Sequence, residues 1–225
     1  MKGKIIIIGE AWLEIGFKGT VPDATHPGGA HLNAARRLAA DGHQVIFLSE
    51  IGTDKAGTIV ADSLTGSGVD ISASDRHIAK TPVVLDFDGS RARYSSEDDG
   101  EGFDIIWPRV EREDIVVFGG YMAVDQRVRR QLWSFIANAD EREATIIYVP
   151  DVADDRISRI TKVMPLVYEN LEIADRVITL PDDLLALFSH NDPERARREN
   201  FAYYVDDYTH LTYRTRLAEA IVGSR

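Results

Sequence analysis

Apolar and polar residues alternate along the chain in a pattern that is typical of a mixed α/β protein. Lys4 to Gly9 is a short isoleucine run ended by glycine, which predicts a fully buried strand because it is too short to bury as a helix. From residue 13 to residue 18 every second residue is apolar. This alternation predicts a second extended segment, with Glu14 on its polar face.

The rest of the chain continues the alternation of strands with helices. Gly28-Gly29, which follows Pro22 and Pro27, is predicted to open a helix that ends before Gly42. The predicted elements are, in chain order, helix His31–Ala40, strand Gln44–Leu48, a helix from the cap Asp54 to Leu64, a hairpin of Val83–Phe87 with Arg91–Tyr94, an acidic loop Glu97–Glu101, strand Ile115–Phe118, helix Gln126–Ala137, strand Thr145–Val149, helix Asp155–Leu171, strand Arg176–Leu180, short helices beginning at Pro181 and Pro193, and a helical stretch Leu211–Val222. Such alternation predicts a three-layer α/β core around a mostly parallel sheet.

Composition narrows the classes of function. The net charge of −11 argues against nucleic acid and anionic membranes as partners, and the longest apolar run is far too short to span a bilayer. The chain has no cysteine, and its six histidines are scattered singly without the spacing of a metal site or a catalytic triad. We therefore expect a soluble, cytoplasmic protein with no metal-ligating residues of its own.

Three motifs occur in a fixed order near the start of the chain. They are Ile8-Gly9-Glu10 with Glu14, Pro27-Gly28-Gly29 with Asn33, and Ile51-Gly52-Thr53-Asp54-Lys55-Ala56-Gly57. Each alone is ordinary turn or capping chemistry. In this order and spacing they resemble the PfkB, or ribokinase-like, family of carbohydrate kinases, and the resemblance covers roughly Lys4 to Phe188.

The resemblance implies a ribokinase-like sandwich as a single domain over residues 1–225, with a small β lid formed by segments of about 12–27 and 81–96. It implies a sugar as the ligand, with Glu14, Gly28, Gly29 and Asn33 as the substrate-binding residues. Family members carry aspartate where this chain has Glu14, and the alternative for Glu14 is a solvent-facing strand residue. The lid of the family also provides a surface through which a homodimer can form.

The family motif for phosphate transfer is not found in the sequence. Gly-Ala-Gly-Asp supplies a glycine-rich phosphate cradle and a base in the family, whereas here no glycine occurs between Tyr121 and Val222. The sequence thus predicts a truncated fold that lacks its carboxy-terminal part, and no catalytic residue is assigned. ATP and Mg²⁺ are the cofactors that the family implies, and the missing motif argues against their binding to this chain.

Three functions remain open at this stage. The first is a carbohydrate kinase that phosphorylates a sugar hydroxyl with ATP, and the second is a non-catalytic sugar-binding or regulatory pseudokinase. The third is an interaction remnant that is stable only as a dimer through the lid.

Overall fold

The computed structural model describes residues 3–76, 80–94, 104–152, 157, 159–180, 182–189, 192–196, 198, 211–213 and 216–223 of the 225-residue chain. The chain divides into two compact units, one formed by Gly9–Pro108 and the other by Met1–Ile8 with Arg109–Arg225. The predicted acidic loop Glu97–Glu101 lies outside the described residues. Among the helices that are described, none is long and apolar enough to cross a membrane.

Strands and helices follow one another largely as the sequence predicts. The strands are β1 (Ile5–Ile8), β2 (Trp12–Lys18), β3 (Val21–Gly28), β4 (Val45–Leu48), β5 (Val83–Phe87), β6 (Ser90–Tyr94), β7 (Ile115–Gly119), β8 (Thr145–Val149), β9 (Arg176–Thr179) and β10 (Leu211–Tyr213). The helices are α1 (Ala30–Ala40), α2 (Lys55–Gly66), α3 (Gln126–Glu141), α4 (Ile160–Ile173), α5 (Asp183–Phe188), α6 (Pro193–Ala196) and α7 (Leu217–Val222), with a 3₁₀ turn at Tyr121–Ala123.

The unit that contains the carboxy-terminal half of the chain is built on parallel strands. Its strands lie in the order β10-β9-β8-β7-β1, and each described pairing between them is parallel. The four residues of β1 are completely buried, as the isoleucine run predicts. Parallel strands are covered on both faces, which is why they are uniformly apolar rather than alternating.

The end of this unit departs from the sequence prediction. Leu211–Val222 was expected to be helical, but Leu211–Tyr213 forms β10, which pairs in parallel with β9. Leu217–Val222, later in the stretch, is helical, and residues 214–215 lie outside the described part. The physical reason is that Thr212 and Tyr213 favour extended backbone, and the neighbouring strand supplies their hydrogen-bond partners.

The unit Gly9–Pro108 contains a mixed four-stranded sheet in the order β3-β2-β5-β6. Strand β2 lies inside it, antiparallel to β3 and parallel to β5. Strands β5 and β6 form the predicted hairpin, whose turn residues Asp88 and Gly89 both have positive φ. Two successive positive φ values match the tight turn that fits the twist of paired strands.

The segment 12–27 was predicted to belong to the β lid, but no separate strand was predicted at β3, because Pro22 and Pro27 lack the N–H group of a sheet ladder. In the structure β3 lies at the edge of the sheet, where proline is tolerated, and its residues 21–26 are exposed. Between Gly16 and Phe17 of β2 the pairing with β3 shifts register and skips Asp23. We refer to this irregularity as the Gly16 bulge.

Candidate functional site

Two side chains that can form hydrogen bonds lie on one face of β2. Trp12 and Glu14 are two residues apart, so they project from the same side of the strand. Glu14 pairs with His26 of β3 and with Val84 of β5, while Trp12 pairs with Gly28. Pairing on both sides fixes the register of β2, and with it the direction of Glu14.

Glu14 is a nearly buried carboxylate, with only 9% of the residue exposed. The alternative of a solvent-facing strand residue therefore does not describe it. The indole Nε1 of Trp12 donates a hydrogen bond to its Oε2 over 3.3 Å. The guanidinium of Arg91 approaches the same oxygen at 3.6 Å, and the ring of His26 approaches Oε1 at 3.7 Å.

These distances leave the Glu14 carboxylate with spare acceptor capacity. An ionised carboxylate offers about four lone-pair sites, and the two cationic contacts are too long to be good hydrogen bonds. Arg91 is instead drawn to Asp86, whose Oδ2 lies 3.2 Å from its Nε. Glu14 can accept hydrogen bonds from a ligand without losing a close protein partner.

The glycine pair makes room for Trp12. A Cβ atom at Gly28 would lie 2.3 Å from the indole Nε1, so only glycine fits opposite this side chain. Gly29 has φ +125°, a conformation that side chains rarely adopt, and a Cβ there would lie 2.6 Å from the carbonyl oxygen of Glu10. The predicted importance of both glycines thus has a direct steric cause within the protein.

Trp12 is the site residue that the sequence analysis missed. Its half-buried ring lies against the glycine pair on one side, and the guanidinium carbon of Arg93 lies 4.7 Å from its centroid. The pairing of Val84 with Arg93 places Arg93 on the strand face that carries Glu14. The signal that could have found Trp12 is its spacing of two residues from Glu14 within an alternating segment.

Asn33 lies one turn into α1. Its backbone N–H donates to the carbonyl of Gly29 over 2.9 Å, and its side chain is exposed. Residues four apart share a face of a helix, so Gly29 and Asn33 lie on the same side of α1. Within the described residues the structure brings Gly28 next to Trp12, whose indole donates to Glu14, but it shows no hydrogen bond between Asn33 and Glu14.

The third sequence motif has a structural explanation. Asp54 caps α2 by accepting the N–H of Gly57 at 2.8 Å, and the same oxygen accepts the N–H of Thr81 at 3.2 Å. A Cβ at Gly57 would lie 1.9 Å from the carbonyl oxygen of Gly52. The motif therefore ties the start of α2 to the segment that leads into β5.

Comparison with known proteins identifies the family. Residues 23–202 match the model of the pfkB family carbohydrate kinases. The chain belongs to the PfkB family. The comparison with curated proteins gives no match.

Solved PfkB-like structures share the fold of this chain. A fructokinase from Vibrio cholerae O395, in a fructose-, ADP- and calcium-bound form, has a TM-score of 0.79 and 18% identity, over 94% of this chain and 70% of its own. An aminoimidazole riboside kinase from Salmonella enterica, complexed with aminoimidazole riboside and an ATP analogue, has a TM-score of 0.76 and 18% identity, over 94% of this chain and 71% of its own. A sugar kinase from Pyrococcus horikoshii, in complex with ATP, has a TM-score of 0.69 and 20% identity, over 82% of this chain and 66% of its own. The predicted ribokinase-like α/β fold is confirmed.

The other unit of this PfkB chain holds a buried carboxylate, Asp183, beside the ends of β8 and β9. Its Oδ1 accepts the N–H of Val152 at 2.8 Å, and its Oδ2 accepts the N–H of Leu180 at 2.7 Å. Burial raises the pKa of Asp183 to about 6, although the backbone N–H groups oppose this shift. Both oxygens are therefore engaged by the backbone.

ATP and Mg²⁺ are the cofactors that the PfkB family implies, and two observations bear on how this chain could hold them. In the part of the chain that the structure describes, no group of three or more histidine, cysteine or acidic side chains is placed to hold a metal ion. The stretch between Tyr121 and Val222 contains no glycine, so it cannot form a glycine-rich phosphate cradle.

Proposed function

We propose that this chain binds a monosaccharide through the face of β2 that carries Trp12 and Glu14, together with the first turn of α1. The observation that carries the proposal is the Glu14 carboxylate, which is nearly buried and, among the described residues, has the Trp12 indole as its one close donor. A buried acceptor with unused capacity suits a ligand that is rich in hydroxyl groups.

Asn33 supports the same ligand class. An amide both donates and accepts, so it can meet a hydroxyl in either role, and its side chain is accessible. Recognition through a carboxylate and an amide would discriminate against analogues that lack the matching hydroxyl, because the protein groups would then stay unpaired. The role of Gly28 and Gly29 in this proposal is to set the backbone course between Trp12 and α1.

We propose that these 225 residues bind a sugar, and we assign them no role in phosphate transfer. Phosphate transfer from ATP to a sugar hydroxyl depends on positioned N–H groups, cations and a base. The sequence between Tyr121 and Val222 contains no glycine and so no Gly-Ala-Gly-Asp motif. Sugar binding is thus the function that we infer for these residues.

We also propose that a second copy of the chain covers the apolar side of the β2–β3–β5–β6 sheet. Phe17 and Phe87 stack there with ring centroids 4.4 Å apart, and the side chain of Tyr94 on the same side is 61% exposed. Aromatic side chains grouped on one sheet face are typical of protein interfaces. Light scattering after size exclusion should show a dimer, and Phe87→Asp should convert it to a monomer, whereas a wild-type monomer at high concentration would contradict the proposal.

A thermal-shift screen of monosaccharides and nucleotides tests the proposed function. A ligand that binds only the folded chain raises its melting temperature, so we expect stabilisation by at least one sugar and not by ATP. Binding is then quantified by calorimetry on wild type and Asn33→Ala. Loss of one or two hydrogen bonds, each worth about 0.5–1.5 kcal/mol, should raise the Kd roughly three- to a hundredfold.

The matched control is Asn138→Ala, which removes an exposed helical asparagine from the other unit of the chain. Circular dichroism establishes that both variants are folded. The proposal fails if no sugar stabilises the chain, or if a bound sugar has the same Kd for wild type and for folded Asn33→Ala. Stabilisation by ATP would favour the kinase hypothesis instead.

A further inference from the structure

His31 occupies an unusual position next to the proposed sugar site. It is the second residue of α1, and only 2% of it is exposed. Its Nε2 is buried, and no described residue forms a hydrogen bond with it. Buried polar atoms of native proteins nearly always have a partner, so a specific exception requires an explanation.

The backbone around His31 is built to accommodate the ring. A Cβ atom at Gly9 would lie 2.4 Å from Cγ of His31, so any larger residue at position 9 would collide with it. Gly9 donates its N–H to the carbonyl of Leu48, the last residue of β4. The imidazole therefore packs at the carboxyl end of a strand, which is where α/β folds usually bind their ligands.

The first turn of α1 provides a second feature at the same place. Its first helical hydrogen bond runs from the N–H of Asn33 to the carbonyl of Gly29. The N–H groups of residues 30–32 come before this bond, so the helix itself supplies no carbonyl for them. Gly29, the N-cap, has no side chain with which to cap them. The Cα–Cβ bonds of a helix tilt towards its amino end, so the Cβ of His31 is directed to the end of α1 that carries these donors.

We propose that His31 is a specificity-determining residue of this site, and that its Nε2 forms a hydrogen bond with one hydroxyl of the bound sugar at the amino end of α1. The inference rests on the proposed function. A hydroxyl can bind to the backbone N–H groups of the first turn and to Nε2 of His31 at once. Its oxygen accepts from the N–H groups while its proton can be donated to the ring nitrogen.

The charge of the ring favours a neutral hydroxyl over an anionic group. Burial lowers the pKa of His31 to about 4, so the imidazole is neutral at pH 7. A neutral ring adds no charge attraction for a phosphate or carboxylate. It can still donate or accept one hydrogen bond at Nε2, depending on its tautomer.

The test compares His31→Leu with wild type on the best-binding sugar and its monodeoxy analogues. We expect the Kd of the parent sugar to rise about five- to a hundredfold in His31→Leu, because the hydroxyl loses its partner in a buried site. One deoxy analogue should bind poorly to wild type, and His31→Leu should bind it as well as the parent. That coupling identifies the hydroxyl that His31 contacts.

The matched control is His43→Leu, since His43 follows α1 at its other end, away from the first turn. It should leave every Kd within about twofold of wild type, and it reports the general effect of removing a histidine beside this helix. His31→Gln, which keeps a hydrogen-bonding side chain, should retain part of the affinity. A purely structural His31 would alter the melting temperature without coupling to a single hydroxyl.

Two outcomes overturn the inference and remain distinguishable from failure of the proposed function. If a sugar binds wild type and its Kd and deoxy pattern are unchanged in His31→Leu, only the role of His31 is wrong. If no sugar binds at all, the proposed function fails and this inference fails with it. If His31→Leu does not fold, long-range ¹H–¹⁵N spectra of the wild type test the contact instead. The Nε2 resonance of the buried neutral imidazole should shift on saturation with sugar, and an unchanged resonance contradicts the contact.

Discussion

Replacement of Glu14 by glutamine separates the structural role of this carboxylate from its proposed role in binding. The substitution preserves length and shape but removes the charge and converts one oxygen into a donor. Oε2 of Glu14 faces two donors, the Trp12 indole at 3.3 Å and Arg91 at 3.6 Å, so we expect the amide oxygen of glutamine to take this place and the amide nitrogen to replace Oε1. The experiment compares the effect of losing the negative charge on the stability of the fold with its effect on the affinity for the ligand.

The structure predicts a small effect on stability. The Arg91 side chain is 57% exposed, so its attraction to Glu14 is screened by water. An ion pair of this kind contributes less than about 1 kcal/mol to the free energy of unfolding. Arg91 also keeps its closer partner, Asp86, at 3.2 Å.

The expected effect on sugar binding is larger. A hydrogen bond to a charged acceptor contributes about 1.5–3 kcal/mol, so the Kd should rise roughly 10- to 150-fold in Glu14→Gln. Titration calorimetry measures the Kd, and urea denaturation measures the free energy of unfolding. The predicted signature is a large loss of affinity with a small loss of stability.

Asp86→Asn is the control for this experiment. Asp86 contacts the same Arg91, while its other oxygen accepts the N–H of Gly89 in the hairpin turn at 2.7 Å. Its removal changes the partner of Arg91 without changing Glu14, so the Kd should stay within about twofold. Equal Kd values for wild type and folded Glu14→Gln would refute the assignment of the carboxylate to the sugar.

Three further predictions follow from packing, burial and composition. Gly57→Ala should lower the free energy of unfolding by about 2–3 kcal/mol in urea titrations, because its Cβ would lie 1.9 Å from the oxygen of Gly52. Gly66→Ala, whose Cβ would have no atom within 4 Å, should be neutral or stabilising, and equal stabilities of the two variants would contradict the steric argument. Asp183 should make the free energy of unfolding of the wild type fall by on the order of 3 kcal/mol between about pH 4 and pH 6, because native Asp183 holds its proton up to about pH 6 and the unfolded chain releases it near 3.8. Asp183→Asn should lack that fall, and identical pH slopes for the two proteins would contradict the prediction. Purified wild-type chain should release no sugar-dependent ADP in a coupled assay, and robust release would show that another group replaces the missing base.

Local signals explain why most of the fold could be predicted from the sequence. Helix α2 was expected to start after Asp54 because aspartate caps helices, and its carboxylate does accept the Gly57 N–H. The β5–β6 hairpin was expected from Asp88-Gly89, a pair that tolerates positive φ. Both features depend on residues that are close together in the chain, so no knowledge of the tertiary structure was needed.

The elements that were missed depend on neighbours that are distant in sequence. Strand β3 contains Pro22 and Pro27 and is recognisable only once β2 lies beside it. Leu211–Tyr213 is extended because β9 pairs with it, although the two strands are more than 30 residues apart. Trp12 joined the site for the same kind of reason, since its indole meets Gly28 only across the β2–β3 pairing.

The Gly16 bulge separates the tip of the β2–β3 pair from the part of β2 that carries Glu14. The pairing of β2 with β3 skips Asp23 beyond Gly16, whereas Glu14 and Trp12 lie on the regular side of that point. A bulge can absorb an extra residue locally, so length changes in the turn around Gly19 need not propagate to the other side. The tip around Gly19 can therefore change in length while Glu14 keeps its place beside Trp12, so the outer edge of this sheet is mechanically separate from the face that we propose binds the ligand.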